Sequence, residues 1–590
     1  MSASRLPVAD DDAFCAKRNN SRSPAKRRQA AAGLSGAGIY TARAMNQRSF
    51  SKIFRGRGLI ALGLVLILTF NFAIRWRLRE MPLERDEGEY AYAGQLLLQG
   101  IPPYQLAYNM KFPGAYFGYA MLMEIFGESA RGIHLGIALV TSLTAVFVFL
   151  IGCRLLNRAG GLIAAASFVL LSLSPAMLGF AGHATHFVAL FAVVGVWALL
   201  KMQEKQSRLW ALIAGAAFGT AMLMKQHAMF FAPLGLLWLA WRARQSQQTR
   251  AAALRVVSYA IGCVLPLLLM VIVLACFGVL DRFYFWTLKY AGEYVSLVTL
   301  QSAWAAFAKN FLPIFKSAWW FWLAGVAGLA ITLVRNQSGK PLRLAALLFI
   351  GAMLAACPGF YFRNHYFLAA TPGLALLIAV AVVEAGHWLN QRGASAWVRA
   401  LPVGLFCLCA VATAWGSRGV WFVQSPDEIS RRTYKANPFI ESVPVAAYLN
   451  AHTAPDEKIA VLGSEPQIYF LAKRHSATGY IYTYSLTELQ GMSEQMRAQF
   501  INEIETARPN YVALVNLESS WLQMTFGDDT ILNWWKDYSQ NYELVGAADV
   551  FDDKPSQYFW DEQLLNRTNA HTGGILVYRR KPPFSLSLKR

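Results

Sequence analysis

Eleven long runs of apolar residues constrain the fold of this chain more than any other feature of its sequence. A helix that crosses a bilayer needs about 20 mostly apolar residues, and no soluble core buries so many such runs. Only 15% of the residues are charged, whereas soluble domains contain about 25%. We therefore predict a polytopic α-helical membrane protein with about 11 transmembrane helices, in a range of about 10–13 because short runs can be tilted, fused or re-entrant. The runs are 58–75, 132–152, 160–178, 183–201, 209–224, 227–242, 255–277, 318–335, 342–357, 366–386 and 399–416.

Basic residues gather in alternate loops, and this pattern predicts the orientation in the membrane. Arg154 and Arg158 lie in one such loop, and Arg242 and Arg255 lie in a later loop on the same side. Because cytoplasmic loops carry an excess of Lys and Arg, the N-terminus is expected in the cytoplasm and, with an odd number of spans, the C-terminus outside. The net charge of +21 is then explained mostly by the basic cytoplasmic loops and N-terminal tail of a protein in a lipid membrane. No nucleic-acid partner is expected.

The composition divides the chain into three parts. Residues 1–57 form a basic, Ser/Ala/Gly-rich tail that we expect to be disordered, with Met45 as an alternative start. Residues 58–417 form the membrane domain, and residues 418–590 form a more polar domain outside. In the polar domain, predicted strands alternate with predicted helices, which favours an α/β domain with a largely parallel sheet. The predicted strands are 458–462, 479–484, 511–516, 543–551 and 574–580, and the helices are 465–472 and 494–507.

The first outer loop, residues 76–131, is long for a connector and holds most of the acidic residues of the membrane domain. Its segments 89–99 and 113–126 have the apolar pattern of helices that lie in the membrane interface. Asp86, Glu87 and Glu89 precede or begin the first of these segments. The loop therefore places carboxylates at the membrane surface.

Two motifs in this loop resemble a known family. Arg85-Asp86-Glu87-Gly88-Glu89-Tyr90 follows the first apolar run, and Tyr108-Asn109-Met110-Lys111-Phe112-Pro113-Gly114 follows the first motif. Together with the span pattern over 58–416, they resemble the polyprenyl-phosphate-sugar-dependent glycosyltransferases. These include the protein O-mannosyltransferases and lipid A aminoarabinose transferases of glycosyltransferase families 39 and 83. The resemblance implies the GT-C fold and a glycosyltransferase activity.

The resemblance also implies roles for single residues. Asp86 occupies the position of the family's catalytic aspartate and is expected to act as general base, with Glu87 tuning it or holding a cation. Lys111, Lys225, Arg363 and His365 are the predicted donor-phosphate ligands, placed on the outer side where basic residues are unusual. The alternatives are that the acids cap the following helix and that the basic side chains reach lipid headgroups.

Two histidines stand where many relatives carry an acidic residue. His183 and His186 lie three residues apart in Gly182-His183-Ala184-Thr185-His186-Phe187, a spacing that can place both on one helical face. They can bind phosphate, join Asp86 in a metal site, or cap the helix that follows, and capping or polar packing is the preferred interpretation. No cofactor is certain, and dependence on a divalent cation, Mg²⁺ or Mn²⁺, stays open.

The expected function is transfer of a sugar from a polyprenyl-phosphate donor to a lipid, glycan or protein acceptor at the outer face of a bacterial inner membrane. The expected mechanism is an inverting single displacement. The C-terminal domain is then periplasmic or extracellular. One alternative is a transporter or flippase of lipid-linked sugars, which usually places polar groups within the membrane. Another is an oligosaccharide ligase that uses a pyrophosphate carrier, since it would share the cationic phosphate site.

Overall fold

A computed structural model describes residues 37–582 except 245–248, 297, 335–340, 489, 522–528 and 568–572, with side chains from residue 57 onward. The chain forms two compact units, Met1–Leu62 and Gly63–Arg590. The described part of the first unit is helical and belongs to helix α1, Ala37–Arg77. Residues 37–57 of the tail that we expect to be disordered belong to this helix, whereas residues 1–36 lie outside the described part.

The membrane domain consists mainly of helices joined by short connections. Asparagine and serine caps begin several of them: Asn157 and Ser129 accept a backbone N–H of the first turn of the helices that follow, which satisfies a donor left free at a helix start. After α1 the helices are α2 Arg85–Leu98, α3 Gly114–Phe126, α4 Ala130–Leu155, α5 Arg158–Ser172, α6 Ala184–Lys205, α7 Arg208–Met224, α8 Phe231–Arg244, α9 Thr249–Cys276, α10 Leu280–Tyr284, α11 Ala291–Ser296, α12 Leu300–Ser317, α13 Trp319–Val334, α14 Arg343–Ala355, α15 Thr371–Gln391 and α16 Ala396–Gly416, and α17 Pro426–Tyr434 begins the C-terminal domain.

Each of the eleven predicted apolar runs overlaps one of these helices. Within the described residues, six helical stretches are long and apolar enough to cross a membrane. Helices α12 and α13 meet at a bend of 97°, and counting this pair as one broken span raises the number to seven. Helices α5, α7 and α14 are apolar but shorter. The six stretches are Arg57–Arg77, Ala130–Leu155, Ala184–Lys205, Arg250–Cys276, Asn364–Gln391 and Ala396–Gly416.

Helix α2 differs from the prediction that it lies in the membrane interface. Its residues Glu87–Leu96 are all buried, and the ring of Tyr92 packs 5.2 Å from that of Tyr469 in the C-terminal domain. That domain covers the face expected to meet lipid. Helix α3 instead leaves Phe117, Met121 and Ile125 exposed, and their spacing of four places them on one face.

The C-terminal domain contains a six-stranded sheet in the order β2-β1-β3-β6-β4-β5. Strand β1 pairs in parallel with β2 and β3, whereas β3–β6, β6–β4 and β4–β5 are antiparallel. The sheet is thus mixed, and the prediction of a largely parallel sheet is wrong. The strands are β1 Lys458–Leu462, β2 His475–Ser476, β3 Tyr511–Asn516, β4 Tyr542–Asp549, β5 Gln557–Trp560 and β6 Gly574–Arg580; the helices are α18 Ser442–His452, α19 Gln467–Ala472, α20 Tyr484–Thr487, α21 Ser493–Ala507, α22 Glu518–Trp521 and α23 Thr530–Tyr538.

The predicted strand over 479–484 is not formed. Tyr480 is buried in the domain and donates a hydrogen bond to Gln499 Oε1, 2.9 Å away, while the chain after Tyr482 turns into α20. Thr483 bonds Ser464 through its backbone N–H, which fixes this turn. Tyr480, Tyr482 and Tyr484, which alternate along this segment and would line one face of a strand, therefore do not share a strand face. The predicted fold class, a polytopic helical protein with a C-terminal α/β domain, is otherwise confirmed.

Close packing of α2 against α19 yields the first prediction. A Cβ atom at Gly88 would lie 2.6 Å from the backbone nitrogen and 2.7 Å from the Cβ of Gln467. Gly88→Ala should therefore destabilise the protein by about 1–3 kcal/mol, the usual cost of overpacking, despite the better helix propensity of alanine. The check is the thermal midpoint of the purified protein in detergent.

Gly292→Ala is the matched control, because a Cβ atom there meets nothing within 4 Å. It should leave the midpoint unchanged or slightly raised. Equal midpoints for both variants would show that α2 and α19 are not in tight contact.

Candidate active site

The start of α2 determines which acidic side chains can face one another. Glu84 is the N-cap, and its Oε1 accepts the backbone N–H of Glu87 at 3.0 Å. Glu87 Oε2 in turn accepts the backbone N–H of Glu84 at 3.2 Å. This reciprocal capping box holds Glu87 against the helix start, while Asp86, one residue earlier, turns to a different side of the helix.

Lys111 is the charge partner of the carboxylates on that side. Its ammonium group donates to Asp86 Oδ1 at 2.8 Å and to Glu89 Oε2. Glu89 is fully buried, and its two oxygens also accept the hydroxyls of Tyr116 at 2.8 Å and of Tyr482 at 3.0 Å. The first outer loop, α3 and the C-terminal domain therefore meet at this ion pair.

Burial and neighbouring charges shift the pKa values of Asp86 and Lys111 in opposite directions. Burial disfavours the charged form of Asp86, but the ammonium of Lys111 outweighs it and holds the pKa of Asp86 well below its usual range. Burial also disfavours the ammonium of Lys111, yet Asp86 and Glu89 raise its pKa well above the ordinary value. For Glu89, burial wins and raises the pKa. Asp86 is therefore a carboxylate and Lys111 an ammonium in the resting site.

Two stacked imidazoles face the other oxygen of Asp86. His183 Nδ1 lies 4.0 Å and His365 Nε2 lies 3.8 Å from Asp86 Oδ2, and the two rings stack with centroids 4.0 Å apart. His183 is 1% exposed, and neither of its ring nitrogens has a hydrogen-bond partner among the described residues. Burial lowers the pKa of His183 to about 4, which leaves its ring neutral.

Two further cations lie beside this group. The Lys225 ammonium lies 3.8 Å from the centre of the Tyr366 ring, and burial lowers its pKa to about 7. Arg363 is exposed to solvent and has Nη2 3.5 Å from the Tyr294 hydroxyl. An anion bound between these two side chains would favour the charged form of Lys225.

These side chains line one cavity of about 660 Å³. Its walls come from the first outer loop, the ends of membrane helices and the C-terminal domain. Six of the eight residues singled out in the sequence lie in its wall: Asp86, Lys111, His183, Lys225, Arg363 and His365. The cavity also contains residues from the C-terminal domain that sequence reasoning did not connect with the site: Tyr434, Tyr482, Tyr484 and Glu488.

Comparisons with known proteins agree on one fold. The profile of the family described as dolichyl-phosphate-mannose-protein mannosyltransferase matches residues 110–270. The solved structure of ArnT from Cupriavidus metallidurans bound to undecaprenyl phosphate is 14% identical, with a TM-score of 0.55, over 89% of this chain and 99% of that chain. The apo state of the same ArnT is 15% identical, with a TM-score of 0.52, over 90% and 100%.

The chain has the GT-C fold. The resemblance drawn from the sequence is thereby confirmed at the level of the fold, and the chain is a multi-pass membrane protein. AglB from Archaeoglobus fulgidus, in complex with an inhibitory peptide and a dolichol-phosphate, also matches, at 13% identity and a TM-score of 0.47 over 85% of this chain and 76% of that chain. No curated protein sequence is significantly similar to this chain.

Glu87 and His186 lie outside the cavity wall of this GT-C protein. Glu87 Oε1 contacts His134 Nε2 at 3.0 Å and accepts the backbone N–H of Gly182 at 2.5 Å. Glu87 thus fixes the loop that carries His183. His186 Nε2 contacts the carbonyl oxygen of Ala181 at 3.1 Å, which fits the preferred interpretation of polar packing. Neither side chain is placed to touch a molecule in the cavity.

Three side chains of the cavity are better placed to bind a metal ion than the sequence suggested. Asp86, His183 and His365 each offer one ligand atom, and these atoms lie within 4.8 Å of one another. A metal about 2.1 Å from each of two ligands requires them to be roughly 3–4 Å apart, so little adjustment is needed. Two imidazoles with one carboxylate favour Zn²⁺ or Mn²⁺ over Mg²⁺, which prefers oxygen ligands.

The position of Glu87 generates a stability prediction. Glu87→Gln removes the charge that faces His134, and both side chains are almost completely buried. Breaking such a buried pair should cost roughly 3 kcal/mol, seen as a lower thermal midpoint in detergent. The exposed Glu124, near the end of α3, provides the control Glu124→Gln, whose midpoint should match wild type. A Glu87→Gln protein as stable as the control would contradict the positioning role.

Proposed function

We propose that this protein is an integral membrane glycosyltransferase that moves a sugar from a polyprenyl-phosphate donor to a lipid, glycan or protein acceptor. The observation that carries the proposal is that the Asp86 carboxylate, Lys225 and Arg363 line the same cavity. A lipid-linked phosphate needs cations for its phosphate, and a transferred sugar needs a base for the acceptor. The ArnT structure of the same fold was solved with undecaprenyl phosphate, which supports this class of donor.

The reaction is a single displacement at the anomeric carbon. The acceptor's hydroxyl or amine forms the new bond to this carbon, the bond from the carbon to the phosphate oxygen breaks, and polyprenyl phosphate leaves with the electron pair. Asp86 takes the acceptor proton as general base. One carboxylate is sufficient because the leaving group is already a phosphate, unlike the pair that glycoside hydrolysis requires. The anomeric configuration is inverted.

Lys111 keeps Asp86 ready for this role. By binding Oδ1 at 2.8 Å, it holds the carboxylate ionised and leaves Oδ2 directed towards His183 and His365. Lys225 and Arg363 bind the donor phosphate and stabilise the charge that grows on it as the sugar leaves. His365 borders this group and completes the polar wall.

The two alternative functions are less well supported. A transporter or flippase would place polar groups within the membrane, whereas here the chemically active residues gather beside the C-terminal domain. An oligosaccharide ligase would also need cations for its pyrophosphate carrier, so the cavity does not separate it from a monosaccharide transferase. A donor panel that includes both carrier types distinguishes them.

The proposed orientation puts the cavity on the outer face of a bacterial inner membrane. Helix α4 has 26 residues, about 39 Å at 1.5 Å per residue. His134, near its start, contacts Glu87 beside the site, while Arg154, near its end, pairs with Glu204. The basic loops thus lie a bilayer thickness from the cavity, and the positive-inside rule assigns them to the cytoplasm.

We further propose that Asp86, His183 and His365 hold a divalent cation. The unpartnered, buried His183 ring supports this, because a buried polar group usually has a partner. When bound, such a cation would act as a Lewis acid that stabilises negative charge on the phosphate. His183 and His365 would orient Asp86 in either case.

Metal content tests the cation site directly. After removal of any affinity tag and dialysis against Zn²⁺ or Mn²⁺, wild type should retain about one equivalent, and His183→Ala and His365→Ala should retain much less. His452→Ala, in the C-terminal domain and outside the cavity wall, should behave as wild type. Equal metal content in all four proteins would refute the site.

The base assignment is tested by an in vitro transfer assay with a panel of polyprenyl-phosphate sugars. Asp86→Asn should lower the rate roughly 10²–10⁴-fold, the usual contribution of a general base, at a donor concentration that saturates wild type. Asp281→Asn is the control, because Asp281 is exposed and lies outside the cavity wall. Full activity of a correctly folded Asp86→Asn protein would remove Asp86 from the chemistry.

A further inference from the structure

A further carboxylate, Glu488, faces the cavity from the C-terminal domain. Its Oε2 accepts a hydrogen bond from the Tyr290 hydroxyl at 2.8 Å, and its residue is 8% exposed. Burial raises the pKa of Glu488 to about 7, against the opposing effects of Tyr290 and the charge of Arg363. The displacement reaction with Asp86 as base gives this group no role.

A wall of tyrosines connects Glu488 with Arg363. The rings of Tyr294 and Tyr361 stack with centroids 4.8 Å apart and an angle of 14° between their planes, and Tyr290 lies 6.5 Å from Tyr294. All three line the cavity. Because the Tyr294 hydroxyl lies 3.5 Å from Arg363 Nη2, the wall begins at a proposed phosphate ligand and ends at Glu488.

The chemistry of this wall does not suit a phosphate. A carboxylate repels an anion, and tyrosine rings offer no positive charge. A sugar ring, in contrast, has apolar C–H faces that pack on aromatic rings and hydroxyl groups that donate to carboxylate oxygens. A carboxyl group that is partly ionised near neutral pH can accept from one hydroxyl and donate to another.

The position of the wall indicates which sugar it meets. The donor's sugar is joined directly to its phosphate, so a phosphate on Arg363 places the sugar within a few ångströms of that arginine. The Tyr294 hydroxyl contacts the guanidinium group of Arg363. The Tyr361 ring lies beneath that group, with its centre 5.7 Å from Arg363 Cζ. The donor sugar is therefore the group nearest to the wall.

We propose that Glu488, held by Tyr290, binds hydroxyl groups of the donor sugar and determines which sugar the enzyme accepts. This inference rests on the proposed function, because it requires a polyprenyl-phosphate sugar in the cavity. Glu488 is a specificity residue, and Asp86 remains the base. The C-terminal domain thereby contributes to donor selection.

Two undecaprenyl compounds separate recognition of the sugar from recognition of the phosphate. The first is the undecaprenyl-phosphate sugar that wild type transfers fastest, for which KM is measured. The second is undecaprenyl phosphate without a sugar, for which the inhibition constant is measured. Glu488→Gln should raise the KM about tenfold or more, since a site built to bind hydroxyls loses a charged partner. The inhibition constant should stay within about twofold of wild type, because Glu488 does not contact the phosphate.

Two further variants complete the design. Glu494→Gln is the matched control, because Glu494 is exposed in the same domain, and both of its constants should equal those of wild type. Tyr290→Phe removes the hydroxyl that holds Glu488 and should raise the KM several-fold with the same inhibition constant. This second variant keeps the test decisive if Glu488→Gln does not fold.

The outcomes are distinguishable. An unchanged KM in a folded Glu488→Gln protein, or an equal rise in both constants, overturns the role in sugar binding while the glycosyltransferase assignment stands. If wild type transfers no sugar from any polyprenyl-phosphate donor, the proposed function fails, and the inference fails with it. A selective rise in KM supports the inference.

Discussion

The site depends on one half-buried ammonium group, that of Lys111. Asp86 and Glu89 lie three residues apart on α2 and therefore on the same helical face, where two carboxylates without a counter-charge would repel each other strongly. Lys111 bonds both. Since Glu89 also accepts the hydroxyls of Tyr116 and Tyr482, the same ion pair joins the first outer loop, α3 and the C-terminal domain. The ion pair of Lys111 therefore both positions Asp86 and holds the C-terminal domain against the first outer loop.

Much of this arrangement could be predicted from the sequence, because charged residues are scarce in this chain. In a mostly apolar protein, each acidic or basic residue on the outer side stands out, and Lys111, Lys225, Arg363 and His365 are noticeable for that reason, while the family resemblance identifies Asp86 as the base. The apolar runs are equally clear, since length and hydropathy alone identify a spanning helix. The structure brings all five of these side chains, together with His183, to one cavity.

What sequence reasoning missed follows from distances along the chain and from local geometry. Glu87 is next to Asp86 in the sequence, but neighbouring residues on a helix differ in direction by about 100°, and Glu87 points to His134 instead. Glu488 and Tyr482 reach the cavity from a domain almost four hundred positions later. Strand β6 lies between β3 and β4, a pairing that local alternation of strands and helices does not reveal.

A structure of the protein in a lipid nanodisc, saturated with undecaprenyl phosphate, tests the central claim most directly. The account predicts density for the phosphate between Lys225 and Arg363, with the lipid tail leaving the cavity along the membrane helices and Asp86 facing the position of the sugar. Phosphate density elsewhere on the protein, or an empty cavity at saturating undecaprenyl phosphate, would contradict the assignment of this cavity as the donor site.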